Sequence, residues 1–245
     1  MVETFNNMNM NFTKWQAFGK ASLIALLALS FSTNDAQAQN KGKWVSLFDG
    51  KSMNGWHSWQ SDKVLPQWKI EDGAIVLAEK GGKDLVTDKE YGDFELELEW
   101  KIAEGANSGI IYHVIEDKKY CCPYSTGPEI QILDDERHAD AKAGKMGNHK
   151  AGSLYDMLPA TDFSVVKPAG QWNKAKIVIK SGKGESWLNG KKVVDFPTQG
   201  AEWDKLVADS KFKTWEGFGA SSKGKIALQD HGDKVSFRNI RIKEL

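Results

Sequence analysis

An unbroken alternation from Asp93 to Ile102 constrains this chain more than any other feature. Phe94, Leu96, Leu98, Trp100 and Ile102 alternate with Glu95, Glu97, Glu99 and Lys101. Successive side chains of a strand point to opposite faces, so period two over this length predicts a long strand with one packed face and one solvated, acidic face. A strand of that kind needs a sheet on either side of it and a second layer beneath it.

The rest of the chain supplies both. Glu71-Asp72-Gly73 separates Trp68–Ile70 from Ala74–Ala78, and Asn189-Gly190 separates Trp187-Leu188 from Lys192–Phe196. An apolar run, an Asp-Gly or Asn-Gly pair and a second apolar run predict hairpins, because glycine accepts the positive φ of a tight turn. The opening region from Trp44 reads as a meander. Further short strands are predicted over Ile110–Ile115, Ser153–Leu158, Ala175–Lys180, Lys225–Gln229 and Val235–Ile242, the last with its register broken near Asn239. Ala201–Asp209 is the single helix candidate, with Trp203, Leu206 and Val207 at helical spacing. The fold class that follows is all-β: a two-sheet antiparallel sandwich with one short helix. No fixed-period repeat is visible, which argues against a propeller.

Lys14 and Lys20 precede an apolar run from Ala21 to Phe31, followed by the small-residue site Ala36-Gln37-Ala38. That is the order of a secretory signal peptide, so residues 1–38 are expected to be removed and 39–245 to form one β-sandwich domain, exported to the periplasm with no membrane span. Lys plus Arg and Asp plus Glu both number 33, which gives no reason to expect a nucleic-acid or anionic-membrane partner. The two cysteines, Cys121 and Cys122, are adjacent and cannot staple distant segments. A vicinal disulfide and two free thiols both remain open.

Chemistry concentrates in Gly127–Asp135, read Gly-Pro-Glu-Ile-Gln-Ile-Leu-Asp-Asp. Alternation places Glu129 and Gln131 on one face and Ile130 and Ile132 on the other. A mid-strand carboxylate is costly to bury unpaired, so Glu129 belongs on a concave face or among partners. Asp134 reaches that face only if the strand bulges after Gln131. In Ile110–Ile115, His113 is expected to share a face with Ile111 and Ile115; a packed histidine and a substrate contact are both open readings. The Gly- and Lys-rich stretch 134–151, with His138 and His149, reads as a flap beside the site. His231 sits in the turn Asp230-His231-Gly232, where side chains project into clefts.

Taken in order, Asn107-Ser108-Gly109-Ile110, Glu129-Ile-Gln131-Ile-Leu-Asp134, Ala151-Gly152-Ser153-Leu154-Tyr155-Asp156, Trp172-Asn173, Trp187-Leu-Asn189-Gly190, Leu228-Gln229-Asp230-His231-Gly232 and Phe237-Arg238-Asn239-Ile240 resemble the 3-keto-disaccharide hydrolase domain family. The resemblance spans nearly all of residues 39–245. It implies a concanavalin A-like jelly roll that cleaves glycosides whose sugar a partner 3-dehydrogenase has first oxidised. One departure stands out: the family pattern more usually carries Arg where this chain has His113. A C3 ketone acidifies the C2 hydrogen, so a base at C2, an acid at the glycosidic oxygen and a group stabilising the enolate would suffice. Glu129 and His231 are the acid and base candidates, with Asp134 near them. Gln131, His113 and Tyr155 are expected to bind the sugar, and Trp187 or Trp59 to stack on it. No cofactor is expected: a divalent metal held by His231, Glu129 and Asp134 has no close-spaced ligand motif behind it. The competing readings are a lectin-like, non-catalytic sandwich and an ordinary glycoside hydrolase acting on unoxidised sugars.

Overall fold

The computed structural model describes residues 41–245, and the leader expected over 1–38 lies outside the described residues. The strands are β1 (Trp44–Ser46), β2 (Trp56–Ser58), β3 (Trp68–Glu71), β4 (Ala74–Leu77), β5 (Leu85–Thr87), β6 (Phe94–Ile102) and β7 (Asn107–Val114). They continue with β8 (Glu129–Leu133), β9 (Asn173–Lys180), β10 (Lys183–Leu188) and β11 (Lys191–Pro197). Helix α1 (Gly200–Ala208), β12 (Lys225–Leu228) and β13 (Val235–Glu244) complete the order.

Two antiparallel sheets result, as the alternation requires. The larger has 8 strands in the order β11-β10-β9-β6-β13-β4-β3, with β1 also on β13; the smaller has 5, in the order β2-β5-β12-β7-β8. Phe94, Leu96, Leu98, Trp100 and Ile102 of β6 face inward and meet Ile110, Tyr112, Ile130, Ile132 and Leu228 from the smaller sheet. Removing each such aliphatic side chain from water contributes about 1.5–3 kcal/mol, which makes this interface the main source of stability. Gly42–Leu245 forms one compact unit. Among the described residues no helix is long and apolar enough to cross a membrane.

Several expectations change in detail. The opening region is not a meander: only β3 and β4 form a hairpin, while β1 joins β13 and β2 joins β5 in the other sheet. The short strands there carry too few hydrogen bonds to stand as a ribbon and are recruited by longer neighbours. Ser153–Leu158 is a turn rather than a strand, with Leu154 bridging both Ile130 and Leu158. Cys121 and Cys122 form a disulfide. The break foreseen at Asn239 is present, with φ +53° there and a register shift between Arg238 and Arg241.

His113 does not share a face with Ile111 in the way that simple alternation implies. Lys225 pairs with Val114 and Ala227 with Ile111, so β7 carries one residue more than β12 between those pairs. The bulge puts His113 at φ +53° and turns Val114 to the side of Ile111, with which it packs against Trp59, Val86 and Ala227.

Candidate active site

The smaller sheet's outer face is where the polar alternation of β8 emerges. Register places Glu129 opposite Ile111 and Gln131 opposite Gly109. Gln229 extends this surface beyond β12, its N–H donating to the Gly109 carbonyl at 3.0 Å. Asp84 comes one residue before Leu85, the partner of Leu228, and its Oδ1 accepts the Asp230 N–H at 2.9 Å. Over this face lies a cavity of 330 Å³ bounded by Glu129, Gln131, Asn107, Gln229 and His231 on the sheet side and by Tyr124, Tyr155, Lys211, Phe212 and Trp215 from loops.

Glu129 has room because its neighbour is a glycine: a β-carbon on Gly109 would overlap the Glu129 carboxyl. Its Oε2 accepts from Gln229 Nε2 at 3.3 Å. Burial pushes the Glu129 pKa up to about 8, the Asp84 charge adds to the rise, and Lys211 and the Gln229 hydrogen bond oppose it. Asp84 rises to about 7, chiefly through burial, opposed by the Asp230 N–H and helped by the Asp230 charge. At neutral pH Glu129 is therefore a proton-bearing acid.

The remaining walls are rich in acceptors. Asn107 Oδ1 and Gln229 Oε1 are buried without partners, as is Asp84 Oδ2 behind them. Gln131 Oε1 is occupied by the Ile132 N–H at 3.0 Å, which leaves its amide hydrogens for the cavity. Unpaired acceptors are expensive to bury, so the polar layer behind this cavity is held at a cost in stability.

The structure brings together Glu129, Gln131, Tyr155 and His231, and leaves the other predicted residues elsewhere. His231 is half-exposed at the rim, its Nδ1 3.9 Å from Asp233 Oδ2. Asp134 does not line the cavity, because β8 runs without a bulge. Its carboxylate accepts the Gly105 N–H at 2.7 Å and the Glu136 N–H at 3.2 Å and pairs with Arg137. Burial alone would raise its pKa, but these partners hold it below the usual carboxylate range.

His113 lines a separate cavity of 610 Å³ beside α1, where its Nε2 lies 2.9 Å from the Gly92 carbonyl and burial lowers its pKa. Trp187 projects from β10, with Lys176 Nζ 3.9 Å from its ring and its N–H donated to Glu185 at 2.8 Å. Trp59 is buried against Ile111 and Val86 and donates to the Cys121 carbonyl at 3.1 Å.

Stretch 134–151 is not a loose flap. Ala139–Lys142 forms a 3-10 turn, the Ala151 N–H binds Asp135 Oδ1 at 2.9 Å, and His149 is buried between two aspartates. Among the described residues, His138, His231 and Asp233 offer ligand atoms within 4.8 Å of one another and could hold a metal ion at the rim. His138 Nδ1 already accepts the Asp140 N–H there, and Asp233 Oδ2 accepts that of Asn107.

Sequence reasoning missed Asp84, Lys211, Gln229 and Asn107. Gln229 and Asn107 stand inside motifs already singled out, two residues from His231 and from Gly109. Asp84 and Lys211 carry no local signal: each follows a polar turn and looks like any solvated loop charge.

A family model, the 3-keto-alpha-glucoside-1,2-lyase-like domain, matches residues 43–243. A 3-keto-disaccharide hydrolase of Bacteroides thetaiotaomicron is 40% identical over 228 residues, covering 82% of this chain and 78% of that protein. Two crystal structures from Parabacteroides distasonis, described as glycosyl hydrolases, are similar throughout. One has 35% identity and a TM-score of 0.76, covering 86% of this chain and 96% of the other. The second has 31% identity and a TM-score of 0.67, covering 83% and 100%. With nearly the whole described sandwich matched, the chain belongs to the family of the 3-keto-alpha-glucoside-1,2-lyase-like domain.

Proposed function

We propose that this protein is a glycoside-cleaving enzyme that acts on 3-keto-glycosides, including 3-keto-disaccharides, by elimination followed by water addition. The observation that carries the reading is Glu129: a buried carboxyl that keeps its proton at neutral pH, on the wall of a cavity of 330 Å³. Such a group is an acid looking for a leaving-group oxygen.

In the step that follows, His231 takes the C2 proton, and the C2–H electron pair becomes the C1–C2 double bond. The C1–O bond breaks, and the departing oxygen takes the Glu129 proton. The C3 ketone delocalises the developing charge, so the enolate oxygen needs a cation or donor; Lys211 and the free amide of Gln131 line the cavity and supply both. Water then adds at C1 while C2 regains a proton, which restores the acid and the base. The ketone must come from an upstream sugar 3-dehydrogenase. Export to the periplasm fits the leader-like residues 1–38.

The test is aglycone release from a 3-keto-glucoside and from its unoxidised parent in deuterium oxide. Release from the ketone alone, with deuterium entering C2, is expected. Equal release from the parent would make this an ordinary glycoside hydrolase, and tight binding without release would make it a lectin-like module.

A further inference from the structure

Tyr155 and Lys211 form part of the cavity wall, and a single chain of hydrogen bonds links them behind it. The Tyr155 hydroxyl donates to Asp140 Oδ2 at 3.1 Å. Asp140 Oδ1 lies 2.9 Å from His149 Nδ1, and His149 Nε2 lies 2.8 Å from Asp156 Oδ1. Asp156 Oδ2 accepts the Lys211 N–H at 2.7 Å. The Lys211 ammonium then returns to 4.2 Å from the centre of the Tyr155 ring, which itself lies 4.4 Å from the His149 ring. The path begins and ends on the cavity.

His149 is its only link between the two aspartates. Carboxylate oxygens accept and do not donate, so both ring contacts are hydrogen bonds at once only when each ring nitrogen carries a hydrogen. The surrounding backbone is shaped to hold it. Gly144 has φ +71°, and a β-carbon there would overlap Asn148 Oδ1 and crowd the His149 ring. Asp156 occupies the left-handed region at φ +59°, unusual for a residue with a side chain. None of this is needed to fill space, which an apolar side chain would do at lower desolvation cost.

We propose that His149 is the positioning residue of this site: through Asp140 it fixes the Tyr155 phenol, and through Asp156 it fixes the backbone that carries Lys211. With its hydrogen committed to Asp140, the Tyr155 oxygen presents lone pairs to the cavity and takes a hydrogen bond from a sugar hydroxyl. Lys211 is held where its charge meets the keto oxygen, and this part of the inference rests on the 3-keto-glycoside reading.

The test is a double-mutant cycle of His149→Gln and Tyr155→Phe, with kcat and KM measured on a 3-keto-glucoside. Each single variant should lower kcat/KM by about 10- to 100-fold. The double variant should fall no more than about twofold below the worse single, because both substitutions cut the same link. Losses that multiply, or wild-type kinetics in His149→Gln, would overturn the assignment. If His149→Gln does not fold, Asp156→Asn cuts the same chain farther from the phenol and should show the same non-additivity with Tyr155→Phe. A readout without turnover separates this inference from the substrate: proton NMR of the wild-type protein should show two hydrogen-bonded ring N–H signals from His149. Two such signals in a protein that releases no aglycone would break the substrate reading and leave the network standing; one signal alone would break the network.

Discussion

β6 and β8 both alternate polar with apolar residues and both carry glutamate on the polar face, three on β6 and one on β8, yet the two strands treat it in opposite ways. Glu97 on β6 stands on the larger sheet's outer face, with Arg241 Nη2 at 2.6 Å and Lys174 Nζ at 3.2 Å. Burial alone would raise its pKa, but the hydrogen bonds from Arg241 and Lys174 outweigh it and lower it. Glu95 and Glu99 have partners of the same kind in Lys243 and Arg238. Glu129 on β8 forms no ion pair among the described residues, and burial raises it to about 8 although the Lys211 charge opposes the rise. Both strands alternate polar with apolar residues; what differs is the neighbours, which are Lys from β9 and Arg from β13 beside β6, and Gly109 from β7 with Gln229 beyond β12 beside β8. A glutamate paired with cations is held charged on a surface, whereas one without them in a cavity holds its proton more tightly.

The sharpest way to break this contrast is to neutralise each glutamate in turn. Glu129→Gln should cost about 10²- to 10⁴-fold in kcat on a 3-keto-glucoside with binding retained, while Glu97→Gln leaves kcat unchanged. Equal losses from the two, measured side by side, would end the distinction. Next comes the room that Gly109 makes. Gly109→Ala should displace the Glu129 carboxyl, costing about 1–3 kcal/mol in denaturant unfolding and most of the activity. Gly184→Ala, whose new carbon would overlap the Phe196 ring under the other sheet, should cost similar stability with kcat intact once folded.

The effects of pH should have opposite signs. Glu129 has a raised folded pKa, so its contribution to stability is fully present below the unfolded value near 4.5 and is lost as pH rises through about 8. Activity that needs its proton should fall over the upper part of that range. Glu129→Gln should abolish the stability loss, so the variant's Tm advantage over the parent should grow from pH 6 to pH 9. Glu97 has a lowered folded pKa, and its contribution is present above the unfolded value and lost as pH falls through the folded one. The smallest effect is therefore Glu97→Gln, under about 1 kcal/mol at pH 7 and vanishing in acid, read as a shift in the urea midpoint.

The two-layer architecture was legible because it rests on short-range signals. Alternation in 93–102 maps onto β6, and Asp72-Gly73 and Asn189-Gly190 close hairpins at their places. Glu129, Gln131 and the turn at His231 were also visible, since each stands out from its own neighbours. What escaped depends on partners far along the chain. Whether Asp134 reaches the cavity turns on a bulge that β8 lacks and β7 has. Trp59 and Trp187 could be ranked only by knowing which sheet face each leaves by. Asp84 lies within the field of Glu129 although forty-five positions separate them, and no window of sequence contains that proximity.

β8 is the last strand of its sheet, and its outward hydrogen bonds are not left open. The Tyr155 N–H goes to the Glu129 carbonyl at 2.9 Å, the Gln131 N–H to the Ser153 carbonyl at 3.0 Å and the Gly152 N–H to the Gln131 carbonyl at 2.9 Å. A bare edge of this composition would invite a strand from another molecule, and with it aggregation. The short turn after Gly152 thus covers a sheet edge as well as contributing Tyr155 to the cavity wall. A substitution outside the cavity lining, such as Gly152→Pro, removes the Gly152 N–H and would be felt first as lost solubility during expression.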